Sequence, residues 1–178
     1  MDKKPGVDDW RKLNQVLKYL KGTKHMKLTL SVEDMSVIHW WVDASYNVHK
    51  DYHGQTGAMM SLGKGVVISF SRKQKLNVRS SAEGGLVGID EALPCSLWCR
   101  YFIEGQGYTV EQNILYQDNK STILLAKNGQ WSSSKKLKHI KSRYFFIKDN
   151  IDKGEVQVKY KPTKRMWSDI LTKPKQGA

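Results

Sequence analysis

The chain has 178 residues, 39% hydrophobic and 26% charged, which fits one globular domain and excludes a disordered chain. Thirty Lys+Arg against 17 Asp+Glu give a formal net charge of +13, which points to a polyanionic partner, nucleic acid first. No apolar run approaches the roughly 20 residues that span a bilayer, and no amphipathic anchor or lipidation motif stands out, so no membrane partner is expected.

The opening MDKKPGVDDW lacks the apolar core and cleavage site of a signal peptide and has the look of a cut from a longer polypeptide. Val7–Gly22 is a predicted helix, with Asp8 or Asp9 as cap, Trp10, Leu13, Val16, Leu17 and Leu20 on one face, and Gly22 as stop. Lys27–Ser31 alternates as a short strand. Val37–Val42 (VIHWWV) is a stronger strand that ends in Asp43-Ala44-Ser45. Trp40 and Trp41 face opposite sides of it, so at least one belongs to the core, and His39 has a structural part. Gly57–Leu62 and Val66–Ser71 read as a hairpin closed at Gly63-Lys64-Gly65.

Ser80, three residues before Glu83, has capping spacing and opens a long helix to about Glu104. Gly84, Gly85 and Gly88 weaken its first turns, and Pro94 is expected to kink or divide it. Cys95 and Cys99 share a face of that helix and read as two buried thiols of a reducing compartment, without disulfide or zinc partners. Asn113–Gln117 is a strand and Ser121–Lys127 a helix. A Ser/Lys loop over 131–138 precedes a helix at His139–Lys153. In that helix Tyr144, Phe145 and Phe146 are packing residues. Val156–Tyr160 is a strand, and Met166–Thr172 a last helix closed by Pro174. Strands joined by short turns run antiparallel and strands separated by helices run parallel, so a mixed sheet flanked by helices follows. Ser132–Arg165 alone carries eleven Lys+Arg and three acids.

Four acids stand at informative positions. Asp43 follows the VIHWWV strand, Glu83 opens the long helix, Asp118 follows the strand ILYQ, and Asp169 lies in WSDILTK. In Gln117-Asp118-Asn119 an acid at a strand end serves either as a cap for the next helix or as part of a ligand site at the end of an α/β sheet. Carboxylates brought together raise one another's pKa unless a cation offsets them. Mg²⁺ prefers such oxygen ligands and leaves positions for substrate phosphates. A strongly basic chain with convergent acids suits phosphodiester hydrolysis.

Four blocks then stand in one order: VDASY (Val42–Tyr46), SRKQKLNVRSSAEG (Ser71–Gly84), YQDNKSTILLAKN (Tyr116–Asn128) and the run Lys138–Pro174 that ends in DILTKP. From about Trp10 to Pro174 the chain resembles the ribonuclease H domain of Ty1/copia-type retrotransposon polyproteins, and WRKLNQVLKYLKGTKHMKLTLS resembles the tail of the reverse transcriptase region before it. The resemblance implies residues 1–35 as that tail or connection and 36–178 as the ribonuclease H domain. It implies an α/β ribonuclease H-like fold with a five-stranded mixed sheet, three antiparallel strands followed by parallel ones. It also implies a D-E-D-D site for two Mg²⁺ ions, or Mn²⁺, made by Asp43, Glu83, Asp118 and Asp169. Asp43 and Asp118 then serve both ions, Glu83 the leaving-group side and Asp169 the water side. The implied substrate is the RNA strand of an RNA–DNA hybrid. The implied partner is the reverse transcriptase portion of the same polyprotein, and the implied location is intracellular, in a cytoplasmic virus-like particle or the nucleus.

Reading an RNA strand requires contact with its 2′-OH, for which Ser45, Gln74, Ser81 and Asn119 are candidates. Lys73, Lys75, Arg79, Lys120, Lys135, Lys136 and Lys138 are candidates for phosphates, and His139, in the KHI block, for the site or its loop. Two departures from the family pattern stand out. Gly85 occupies a position where relatives carry a second acid, and the loop KPTKR (Lys161–Arg165) has no His. The rival expectation is a decayed or domesticated copy that binds nucleic acid without cutting it. A second rival is a nuclease of the same fold that cuts DNA.

Overall fold

The computed structural model describes residues 4–128 and 138–173, with the backbone alone for 138–141. In chain order the elements are α1 (Val7–Thr23), β1 (Ser31–Val32), β2 (Val37–Ser45), β3 (Gln55–Ser61), β4 (Gly63–Lys64), β5 (Ile68–Lys73), α2 (Ser81–Gly105), β6 (Gln112–Gln117), α3 (Lys120–Asn128), α4 (Lys138–Asp152) and β7 (Gln157–Tyr160). Two short 3₁₀ turns follow, Thr163–Arg165 and Trp167–Leu171.

The main sheet has the order β5-β3-β2-β6-β7, with β2 at its centre. β2 pairs antiparallel with β3, and β3 antiparallel with β5, because short connections join them. β2 runs parallel to β6, and β6 to β7, because helices carry the chain between them. This is the mixed five-stranded α/β sheet that the element order implies. β1 is shorter than the alternation at Lys27–Ser31 suggests, and forms only a two-residue ladder with β4.

Period-two alternation decides what β2 does. Ile38, Trp40 and Val42 point into the core with Leu115 of β6, Leu86, Ile89 and Leu93 of α2, and Tyr144 and Ile147 of α4. His39, Trp41 and Asp43 point to the other face. There Trp41 stacks on Trp167, with ring centroids 4.0 Å apart. His39 and Tyr116 stack beside them, and Lys161 lies 3.9 Å from the Tyr116 ring centroid and 4.9 Å from that of Trp41. Burial holds the His39 pKa below its ordinary value, helped by Lys161. Trp40 and Trp41 thus serve two different packing layers, and Tyr144 is core, whereas Phe145 and Phe146 are exposed.

Three expectations need correction. Pro94 does not divide α2, which runs as one helix through it, with buried Leu93 and Leu97 on either side holding the turn that lacks its N–H bond. Cys99 is buried and its thiol pushed up to about 12 by burial, but Cys95 is only half-buried. The last predicted helix is a 3₁₀ turn, with Asp169 N donating to Met166 O (3.2 Å) and Thr172 N to Asp169 O (3.4 Å). Its end is tied to the sheet, where Ser71 Oγ donates to Leu171 O (2.6 Å) and Ser45 Oγ to Thr172 O (2.7 Å). All of α1 except part-exposed Thr23 is exposed, its apolar face included.

Two glycines set close approaches. Gly57 of β3 pairs with Asp43. A Cβ there would fall 2.7 Å from Leu171 Cβ and 2.9 Å from Ser168 O. The missing side chain lets the Trp167–Leu171 turn lie on the sheet. At Gly85 of α2, a Cβ would fall 2.4 Å from Thr122 Oγ1 of α3. Substituting Gly57→Ala forces the turn off β3 and is expected to cost about 1–3 kcal/mol, the usual penalty of overpacking. Urea titration of the variant against the parent checks this.

Candidate active site

The parallel pair β2–β6 places two carboxylates side by side, because Asp43 lies near the end of β2 and Asp118 directly follows β6. The 3₁₀ turn seated on Gly57 adds Asp169. All three line one cleft of ≈190 Å³ with Ala44, Ser45, Ser81, Gly85, Gln117, Asn119, Thr163 and Lys173.

Each of the three is held by its own donor. Thr172 Oγ1 donates to Asp43 Oδ2 at 2.5 Å, and Thr163 Oγ1 to Asp118 Oδ2 at 2.7 Å. Lys173 Nζ donates to Asp169 Oδ1. Asp43 is only 8% exposed. Burial raises its pKa. The Thr172 hydrogen bond opposes that rise, while the charges of Asp118 and Asp169 add to it. Lys173 is driven the other way: its bond to Asp169 raises its pKa, as do the charges of Asp43 and Asp118. The cleft is therefore an acidic focus that its own lysine partly offsets. Three carboxylates, two at adjacent strand ends and one on the 3₁₀ turn, match the hard oxygen donors that a divalent cation takes. As the side chains stand, however, no three acidic, His or Cys groups among the described residues converge closely enough to share one ion.

The loop at Gln117-Asp118-Asn119 divides its work. Gln117 Oε1 accepts from the backbone N–H of Asp118 (2.9 Å) and Asn119 (3.2 Å). Asn119 Oδ1 accepts from Ser121 N and Thr122 N, so Asn119 caps α3 and leaves Asp118 to the cleft.

The fourth predicted acid stands elsewhere. Glu83 does not line the cleft; its carboxylate accepts from Arg79 N at 2.8 Å, while Ser80 Oγ accepts from Glu83 N at 3.2 Å. From α2 the cleft-facing residues are Ser81 and Gly85. Gln74 also departs from expectation. It is 1% exposed, and its amide donates to Thr56 Oγ1 (3.0 Å) and Gly84 O (2.9 Å), so it ties β5 to α2 and cannot meet a nucleic acid. Ser45, Ser81 and Asn119 do line the cleft. Lys73, Lys75, Arg79 and Lys120 are exposed, Lys73 paired with Asp51. Lys135 and Lys136 lie outside the described residues. Lys138 and His139 open α4, and their side chains also lie outside what is described. The sequence reading missed Thr163, Thr172 and Lys173. Their only signal was position: Thr163 in the loop before the predicted helix Met166–Thr172, Thr172 at its end and Lys173 just after it.

No family model matches the chain. It is similar to the retrovirus-related Pol polyprotein from transposon TNT 1-94 of Nicotiana tabacum, 26% identical over 170 residues, which are 95% of this chain and 13% of the relative. The corresponding polyprotein from transposon RE2 of Arabidopsis thaliana is 29% identical over 172 residues, 96% of this chain and 12% of the relative. The Transposon Ty1-JR1 Gag-Pol polyprotein of Saccharomyces cerevisiae is 28% identical over 137 residues, 74% of this chain and 8% of the relative. The chain thus corresponds to a small part of each. Among solved structures, LC11-RNase H1 isolated from compost aligns with a TM-score of 0.51 at 14% identity over 76% of this chain and 92% of that one. The Prototype Foamy Virus Protease-Reverse Transcriptase aligns at 0.50 and 14% identity over 82% of this chain and 22% of that one. The fold is that of ribonuclease H. The chain is a homologue of the Pol polyproteins of Ty1/copia-type retrotransposons.

Asp43 carries charge in a buried place, so its folded-state pKa lies above its unfolded one. Such a group reduces stability as pH rises through that interval, and the loss is complete above the folded pKa. Asp43→Asn, whose amide oxygen still accepts from Thr172, is expected to raise the Tm of the metal-free protein by a few degrees at neutral pH. The gain over the parent disappears at pH values below the ordinary carboxylate range. Calorimetric scans across that range check both.

Proposed function

We propose that this domain is a ribonuclease H-type nuclease that takes the RNA strand of RNA–DNA hybrids during reverse transcription. Asp43, Asp118 and Asp169 would hold a divalent cation, Mg²⁺ or Mn²⁺. The observation that carries this reading is the set of three aspartates, two at adjacent strand ends and one on the 3₁₀ turn beside them, in one cleft of a chain with net charge +13. When bound, such an ion lowers the pKa of water and polarises a phosphoryl oxygen.

The chain's own residues supply the rest. Exposed Lys120 directly follows the cleft residue Asn119, and exposed Arg79 stands two residues before the cleft residue Ser81, where a sugar–phosphate backbone would pass. The Ser81 hydroxyl suits a 2′-OH, which both donates and accepts and marks the RNA strand. Thr172, Thr163 and Lys173 keep the three carboxylates oriented before an ion arrives. The two-ion D-E-D-D arrangement implied by the resemblance needs a fourth carboxylate. With Glu83 engaged at the start of α2, the reading adopted is a site of three aspartates.

The relatives support a reading of the domain's surroundings. Residues 1–35 form the tail of the reverse transcriptase region, whose remainder would cover the exposed apolar face of α1. Among the described residues no helix is long and apolar enough to cross a membrane. The working place is intracellular, in a virus-like particle or the nucleus.

One observation favours a second reading. Glu83 stands outside the cleft, so a hybrid-binding module without efficient cleavage is its direct rival. An end-labelled RNA–DNA hybrid, incubated with Mg²⁺ or Mn²⁺ beside single- and double-stranded DNA, separates them. The nuclease reading expects metal-dependent cutting of the RNA strand alone, lost in Asp118→Asn. Salt-sensitive hybrid binding without cutting establishes the binding module. Cutting of DNA overturns the substrate assignment.

A further inference from the structure

Helix α2 meets the cleft through one line of residues. Ser81 and Gly85, four apart, both line it, as helical spacing requires of one face. Glu83 lies two residues from each, about 160° round the helix from that line. Its carboxylate accepts from the backbone N–H of Arg79, the residue before the N-cap. Ser80, the N-cap, accepts in turn from Glu83 N, so the two bonds fix the entry of the chain into a 25-residue helix.

The position that does face the aspartates is Gly85, and it is closed to any side chain as the helices stand. Its Cβ would fall 2.4 Å from Thr122 Oγ1 and 3.0 Å from Thr122 Cγ2. Thr122 is itself fixed: buried, at the capped start of α3, with Oγ1 donating to Ala82 O at 3.0 Å. α3 packs onto α2 where a cleft-facing side chain would otherwise project.

We infer that Glu83 ties the segment entering α2 to the first turn of that helix and is not a metal ligand, and that Gly85, packed against Thr122, leaves the cleft a three-aspartate cation site. This rests on the proposed metal-binding role of the aspartates and sharpens it. α2 contributes a hydroxyl and a glycine backbone to the site, and no carboxylate. The two conserving changes at position 83 separate the roles. Gln keeps an acceptor for Arg79 N but removes the charge a metal needs; Ala removes both.

The test is Mn²⁺ titration by calorimetry of the whole 178-residue chain, with Tm measured on the same samples. The expected pattern is that Glu83→Ala lowers Tm by several degrees and Glu83→Gln restores most of it. Both are expected to bind Mn²⁺ within twofold of the parent. Asp118→Asn serves as the control and is expected to lose at least tenfold in affinity. A tenfold loss in Glu83→Gln with unchanged Tm overturns the inference and makes Glu83 a ligand. If instead Asp118→Asn binds Mn²⁺ like the parent, the metal-site reading itself fails, whatever Glu83 does.

Discussion

The contact between Gly57 and the Trp167–Leu171 turn is the constraint on which the site depends. Gly57 sits opposite Asp43 in the central ladder, and its missing side chain lets Ser168 and Leu171 rest on the sheet. That seating has three consequences. It brings Asp169 to a cleft whose other acids come from the sheet itself. It delivers Thr172 to Asp43 and Lys173 to Asp169. It also places Trp167 over Trp41, so that aromatic stacking on one face of β2 helps hold the turn. A segment with five residues of 3₁₀ helix has little intrinsic stability. Its position is set by what it touches: two serine hydroxyls on its last carbonyls, one glycine beneath it and one indole stack.

Electrostatics of opposite sign are divided by depth. The chain is strongly basic overall, yet three carboxylates share one cleft and one of them is almost fully buried. Such a group is costly to the folded protein unless neutralised. Hydroxyl donors from Thr163 and Thr172 and the ammonium of Lys173 lessen that cost without removing it. The folded domain thus stores an electrostatic penalty in its cleft that a bound cation would relieve. The exposed lysines and arginines stand outside, where a phosphate backbone would be drawn by charge rather than by shape.

The fold was legible in the sequence because its signals are local. Alternation in VIHWWV, the glycines of the hairpin and the strand–helix order after Ser80 are each readable from neighbours in the chain. The meeting of Asp43, Asp118 and Asp169 in one cleft was legible from the four blocks, with the strand ends pointing to the first two. Glu83 and Gln74 both sit in a motif, but a motif does not give the direction of a side chain on a helix or at a strand end, which its partners settle. Gln74 turns inward to Thr56 and Gly84. Glu83 turns back to Arg79, and the residue that faces the cleft is a glycine, which the sequence presented only as a weak helix position. Thr172 and Thr163 were illegible because a hydroxyl carries no pattern until its acceptor is placed.

The Trp41–Trp167 stack gives the site an optical readout. One indole shares a strand with Asp43 and the other a turn with Asp169, each two residues from its acid, and the rings lie 4.0 Å apart and within 13° of parallel. Two chromophores so close couple, and their near-ultraviolet circular dichroism depends on their mutual angle. Any event that lifts or tightens the turn against the sheet changes that angle before it changes secondary structure. The protein therefore carries, without a label, an indicator of whether the half of its acidic cleft supplied by the C-terminal turn is docked on the half supplied by the sheet.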